Sequence, residues 1–132
     1  MAIQLSVAAR NGRLDAIETE LGSTPVLKIF TGAQPANCAA ANSGTELASM
    51  TLPADAMAAA SSGSKAKSGT WQATAGGTGT AAHFRLYKSD GTTCVLQGSV
   101  GMGTGDLSLD NTSIASGQTV TVSGFTLTDA NA

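Results

Sequence analysis

Residues 80–100, TAAHFRLYKSDGTTCVLQGSV, decide the fold. Two alternating runs flank Asp90-Gly91. The first sets Ala82, Phe84 and Leu86 against His83, Arg85 and Tyr87, and the second places Cys94, Leu96 and Val100 on one face. A period of two marks a half-buried strand. Asp-Gly between two such runs is a strong local signal for a β-hairpin. With a two-residue turn, Ser89 pairs with Thr92, Tyr87 with Cys94 and His83 with Gly98, so His83 and Cys94 are not in direct opposition.

Upstream of the hairpin, Pro25 to Thr31 (PVLKIFT) alternates Leu27, Ile29 and Thr31 with Val26, Lys28 and Phe30 and reads as a strand. Gly32 to Gly44 (GAQPANCAAANSG) reads as a long loop. Glu46 to Leu52 reads as a strand with Ala48, Met50 and Leu52 on one side. Pro53 either ends it or opens a short helix, Ala54 to Ala60, with Asp55 near its N-terminus. Ser61 to Ser68 (SSGSKAKS), carrying Lys65 and Lys67, reads as a solvated loop. Thr70 to Thr74 around Trp71 is a further strand, and Gly76 to Gly79 is a flexible connection without the flanks or the Lys-Ser/Thr ending of a phosphate loop.

Downstream, Gly101 to Gly105 (GMGTG) is a loop and Asp106 to Asp110 a short strand. In Gln118 to Thr128 the apolar phase switches between Val120/Val122 and Phe125/Leu127. A bulge at Ser123-Gly124 would restore one inward face. Short strands separated by turn signals predict a mainly β chain, an antiparallel β-sandwich or jelly-roll-like domain. A βαβ fold lacks its alternating helices, and no repeat period emerges.

The first segment has helical spacing. Ile3, Val7, Leu14, Ile17 and Leu21 form a heptad-like stripe, and Gly22 is a C-terminal stop. This divides the chain into residues 1–22, an N-terminal helix or assembly arm, and residues 23–132, the β-domain. The stripe is the candidate assembly interface, although docking on its own domain accounts for the same spacing.

Of 132 residues, 70 are Ala, Gly, Ser or Thr, while Leu, Ile, Val and Phe number 24. Burial contributes about 25 cal/mol per Å² of apolar surface, so a core poor in large side chains is expected to be completed by neighbouring subunits. That predicts a homo-oligomer, trimer favoured over dimer. Charged residues are 12% of the chain and the net charge is −2. Without a basic cluster there is no footprint for nucleic acid, and no stretch has the length and apolarity of a membrane helix or a signal peptide.

Chemistry-bearing residues are sparse. His83, the single histidine, lies beside Arg85 and Tyr87 and reads as a surface or interface residue rather than a general base. Cys38 and Cys94 read as small buried hydrophobes of a cytosolic protein rather than a bridge. Three Cys/His residues make structural zinc improbable, and Asp106, Asp110 and Asn111 read as turn residues rather than calcium ligands. Trp71 reads as a core residue rather than a carbohydrate platform. The expectation is of no catalytic residue, metal or cofactor.

The stretches LSVAARNGRLDAIETELG, PVLKIFTGAQPANCAAANSGTELASMTL, SGTWQ, AAHFRLYKSDGTTC and LDNTSIASGQTVTVSGFTLTDAN together resemble small virion structural proteins of tailed bacteriophages and prophages. The likeness covers nearly the whole chain. It implies a protein made in the bacterial cytoplasm and assembled in many copies on the capsid surface of the virion. The role it favours is head decoration (cement), with the phage major capsid protein as partner. A tail or fibre component binding a host receptor is the alternative, and a hydrolase is a third class. The resemblance carries no site motif.

Overall fold

A computed structural model describes residues 3–129. The outermost parts of the two expected units, residues 1–2 and 130–132, lie outside the described residues. Helix α1 runs over Val7–Leu21. It is followed by β1 (Val26–Phe30), β2 (Glu46–Thr51), β3 (Ser64–Ala66), β4 (Gln72–Thr74), β5 (Gly79–Thr80), β6 (His83–Tyr87), β7 (Cys94–Gly101), β8 (Leu107–Leu109), β9 (Ser113–Ile114) and β10 (Thr119–Thr128). The helix starts later than the apolar stripe suggests. Ser6 is its N-cap, accepting from the Ala9 N–H at 3.1 Å, a geometry that satisfies one otherwise orphaned donor. Gly22 ends it with φ 75° and donates to the Glu18 carbonyl.

The large sheet has the strand order β2-β1-β6-β7-β8-β10-β3, with β4 also pairing with β10; β5 and β9 form a separate pair. The sheet curls. Leu47 O on β2 accepts from Gly76 and Gly77, just beyond β4, at 3.0 and 3.2 Å, so the β2 edge approaches the segment that follows β4. The expected antiparallel sandwich is corrected to a curled, mixed sheet, because β8 runs parallel to β7. Parallel neighbours ordinarily need a long crossover. Here residues 102–106 suffice, because the glycine loop turns the chain tightly on itself. A Cβ on Gly101 would lie 2.7 Å from the Thr104 carbonyl oxygen, and Gly103 and Gly105 hold φ of 69° and 77°.

The core lines the concave side. Leu27, Ile29, Met50, Leu86, Leu107, Val120 and Trp71 are buried. Phe125 packs with its ring centroid 5.6 Å from those of both Trp71 and Phe84. The expected bulge in the last strand is present: β10 pairs Val122 with Leu109 but Gly124 with Ser108. Skipping Ser123 buries Val120, Val122 and Phe125 together.

The hairpin forms with a longer turn. Lys88 and Thr93 close it, Lys88 N donating to Thr93 O at 3.0 Å. Tyr87 faces Cys94 as expected, but the register then shifts, so Leu86 faces Leu96, Phe84 faces Gly98 and His83 faces Ser99, not Gly98. The extra residue, Val95, separates Cys94 from Leu96, which the sequence placed on one face. Gly98 is needed opposite Phe84, whose Cε1 would lie 2.8 Å from a Cβ there.

Four further expectations change. Residues 54–60 form no helix, because their backbone bonds elsewhere: Met57 and Ala60 donate to the Glu18 and Asp15 carboxylates, and Ala58 to the Ala66 carbonyl. The presumed solvated loop at 61–68 contains β3, which pairs with the end of β10, and its Lys65 is 1% exposed. Finally, all of β6 is buried. The 32–44 loop folds over its outer face, so His83 and Arg85 are interior residues rather than surface ones. Cys38 in that loop is disulfide-bonded to Cys94, correcting the expectation of two unpaired thiols.

Candidate functional site

Two covers lie on the curled sheet, and each is organised around a buried cation. The first is α1, which packs by Leu14 and Leu21. Beneath it the Lys65 ammonium donates to Asp15 Oδ1 at 2.7 Å, to the Ala58 carbonyl at 2.9 Å, and lies 2.8 Å from Glu18 Oε1. Three donors meet three acceptors. Asp15 and Glu18 are three residues apart on one helix, hence on one face. Burial opposes the Lys65 charge, but the hydrogen bonds it donates to Asp15 and Glu18 outweigh this and raise its pKa above the usual 10.5. The Asp15 carboxyl is held below its ordinary range by Lys65 and by the Ala60 N–H.

The helix is also tied to the end of β10. Arg10 Nη1 donates to the Asp129 carbonyl at 3.2 Å, Arg13 Nε lies 3.1 Å from Asp129 Oδ2, and Gly63 N donates to Asn11 Oδ1 at 2.9 Å.

These contacts divide the five proposed assembly residues. Leu14 and Leu21 are spent inside their own chain, at 4% and 2% exposure, and Ile17 packs partly against the core. Partner burial therefore does not describe Leu14 and Leu21. Ile3 and Val7 are 84% and 47% exposed. Met102, in the glycine loop, is exposed as well, and sequence reasoning did not single it out.

A groove of about 500 Å³ runs beside the helix, lined by Ile17, Leu96, Phe125 and Leu127. Its origin is topological. Strand β8 pairs with β7 only at Val100 and Gly101, and with β10 only between Val122 and Phe125. Short of β8, the edges of β7 and β10 flank a gap with no strand between them. The groove continues past Phe125, Thr126 and Asp106 into a hollow of about 260 Å³ beside the glycine loop.

The second cover is the 32–44 loop. Arg85 Nη2 donates to the carbonyls of Asn37, Cys38 and Ala40 at 2.9, 3.2 and 2.9 Å, and Nε to Gln97 Oε1 at 3.0 Å. Gln97 Nε2 donates to Pro35 O at 2.7 Å. His83 Nδ1 lies 2.9 Å from Gly32 O, and its ring stacks on Phe30. His83 Nε2 is buried with no hydrogen-bond partner among the described residues. Among the described residues, no group of three His, Cys, Asp or Glu is placed to hold a metal ion, and no helix is long and apolar enough to cross a membrane. Comparison with protein-family models, curated proteins and solved structures returns no match for this chain.

Proposed function

We propose that this chain is a non-enzymatic virion structural protein that binds and stabilises a phage capsid lattice as a decoration protein. The observation that carries the reading is the exposure of Ile3 and Val7 at the start of a helix whose later apolar residues are already buried at home. Exposed apolar side chains leading into a fastened helix offer contact area without unfolding anything. The β7/β10 gap adds strand edges that an extended segment of a neighbouring subunit can pair with. Small side chains throughout cost little entropy when ordered at an interface.

The test is addition of purified protein to undecorated heads of the parent phage, followed by co-sedimentation. Saturable binding at a fixed ratio to major capsid protein is expected, and its absence overturns the proposal. Sedimentation of the protein itself is expected to show a homo-oligomer, trimer favoured over dimer; a 13.0 kDa monomer both at high concentration and in its particle contacts would refute that part. The second reading, a tail or fibre component binding a host receptor, is favoured by a cavity of about 330 Å³ between the 32–44 loop and the hairpin turn, walled in part by Lys28 and Arg85, and predicts co-purification with tails rather than heads.

A further inference from the structure

Across β2, β1, β6 and β7, Ser49, Lys28, Arg85 and Gln97 are successive cross-strand partners. Lys28 and Arg85 are thus adjacent cations on one face. Arg85 is 2% exposed and its charge meets only neutral oxygens: three loop carbonyls and the Gln97 amide. Among the described residues no carboxylate forms an ion pair with it. Lys28 has one carboxylate, that of Glu46 at 3.4 Å, itself 45% exposed. The Lys28 Nζ and Arg85 Cζ also lie 5.3 and 6.0 Å from the Tyr87 ring centroid. A desolvated guanidinium without a counter-charge is costly, so this corner is short of negative charge.

A cavity of about 330 Å³ opens at the same place, between the disulfide-pinned loop and the hairpin turn. Its walls include Lys28, Arg85, Tyr87, Asn42 and Thr92. We propose that this cavity binds a carboxylate-bearing ligand of one sugar ring, a hexuronic acid. The two cations take the carboxylate oxygens, a charge-assisted contact stronger than a neutral one. The Asn42 amide, the Thr92 hydroxyl and the loop backbone supply partners for ring hydroxyls, and the volume is at the small end of ligand sites. Glu46 competes for Lys28 when the cavity is empty. The assignment is independent of whether the chain sits on a head or a tail.

The experiment is an NMR titration of the oxidised, full-length protein with galacturonate, with galactose as the neutral control. Galacturonate is expected to shift the Arg85 Nε–H, Thr92 and Asn42 signals saturably, with an effect that weakens in high salt, while galactose does nothing. Lys28→Gln, at a side chain that is not fully buried, is expected to weaken binding about tenfold. Glu46→Gln, which releases Lys28, is expected to strengthen it. Both variants should keep the wild-type amide spectrum away from the cavity. The proposal is overturned by the absence of saturable shifts, by equal binding of galactose, or by an affinity indifferent to both substitutions.

Discussion

The helix cover and the loop cover are each fastened around a cation of 2% exposure or less, but the two cations are matched differently. Lys65 meets two carboxylates and a carbonyl, and every partner belongs to the segments it joins, α1 and residues 57–60. Arg85 meets neutral oxygens, and the covalent bond from Cys38 to Cys94 adds what electrostatics there does not. A buried cation with matched acids is a fastener whose strength depends on pH. One with neutral partners is a positioning group with charge to spare, and its cover needs a second fixing.

Removing the disulfide is expected to have the largest effect. The bridge joins residues 56 apart, and closing a loop of that length stabilises by about 4 kcal/mol on chain-entropy grounds. Cys38→Ser with Cys94→Ser should lower stability by about that amount in urea denaturation, and dithiothreitol should do the same to the wild type. Because Arg85 and Gln97 still hold the loop, the native spectrum should survive. A loss of less than about 1 kcal/mol would show that the hydrogen bonds alone fasten this cover.

Lys65→Ala is expected to cost about 3 kcal/mol, at the low end for breaking a buried ion pair, since Asp15 is half exposed and can rehydrate. Lys65→Met, which keeps the volume, should cost less. If both cost the same, packing rather than charge fastens the helix.

The two covers should also separate in their response to pH. Asp15 has a folded pKa below its ordinary 3.8, so its stabilisation is present above 3.8 and lost as pH falls through the folded value. Lys65 is raised above 10.5, so its contribution is complete below 10.5 and lost as pH rises through the folded value. In the hairpin turn, Asp90 is lowered to about 2 by the Thr93 hydroxyl and the Thr93 and Thr92 N–H groups, and its contribution disappears between pH 3.8 and about 2. Urea midpoints against pH should show an alkaline decline in the wild type that Lys65→Met flattens and an acidic one that Asp90→Asn reduces, leaving the share that belongs to Asp15. An unchanged alkaline limb in Lys65→Met would remove Lys65 from the account.

What was legible in the sequence follows the reach of each signal. Alternation and turn chemistry are local, and they located the hairpin strands, the Ser123 bulge and the Gly22 stop. Alternation puts Cys94 on the wrong face because one inserted residue, Val95, reverses the phase of everything before it, and nothing local marks it. Lys65 reads as solvated because its near neighbours are Ser, Ala and Gly. The signal that could have corrected this, Asp15 and Glu18 on one helix face, sits 50 and 47 residues away. The loop over Arg85 has no period at all, and only the completed sheet shows which face it covers. Of the proposed assembly residues, helical spacing identified Leu14, Ile17 and Leu21 as facing something, but spacing alone does not say whose surface.

The smallest effect on stability is expected at Ile3 and Val7, and it bears directly on function. Exposed substitutions away from special features change stability by roughly 0.5 kcal/mol or less. Ile3→Ser with Val7→Ser leaves Ser6, the Lys65 fastener and the Asp129 ties intact, so the melting temperature should barely move. If these side chains insert into a capsid partner, the same pair removes apolar area from a desolvated contact, and head binding should fall by about tenfold or more. Leu14→Ala provides the opposite pattern: its side chain is buried in its own chain, so about 2–4 kcal/mol of stability should be lost, while any folded protein binds normally. Normal head binding by the Ile3/Val7 variant would remove the N-terminal segment from the assembly surface and leave the β7/β10 gap as the remaining contact.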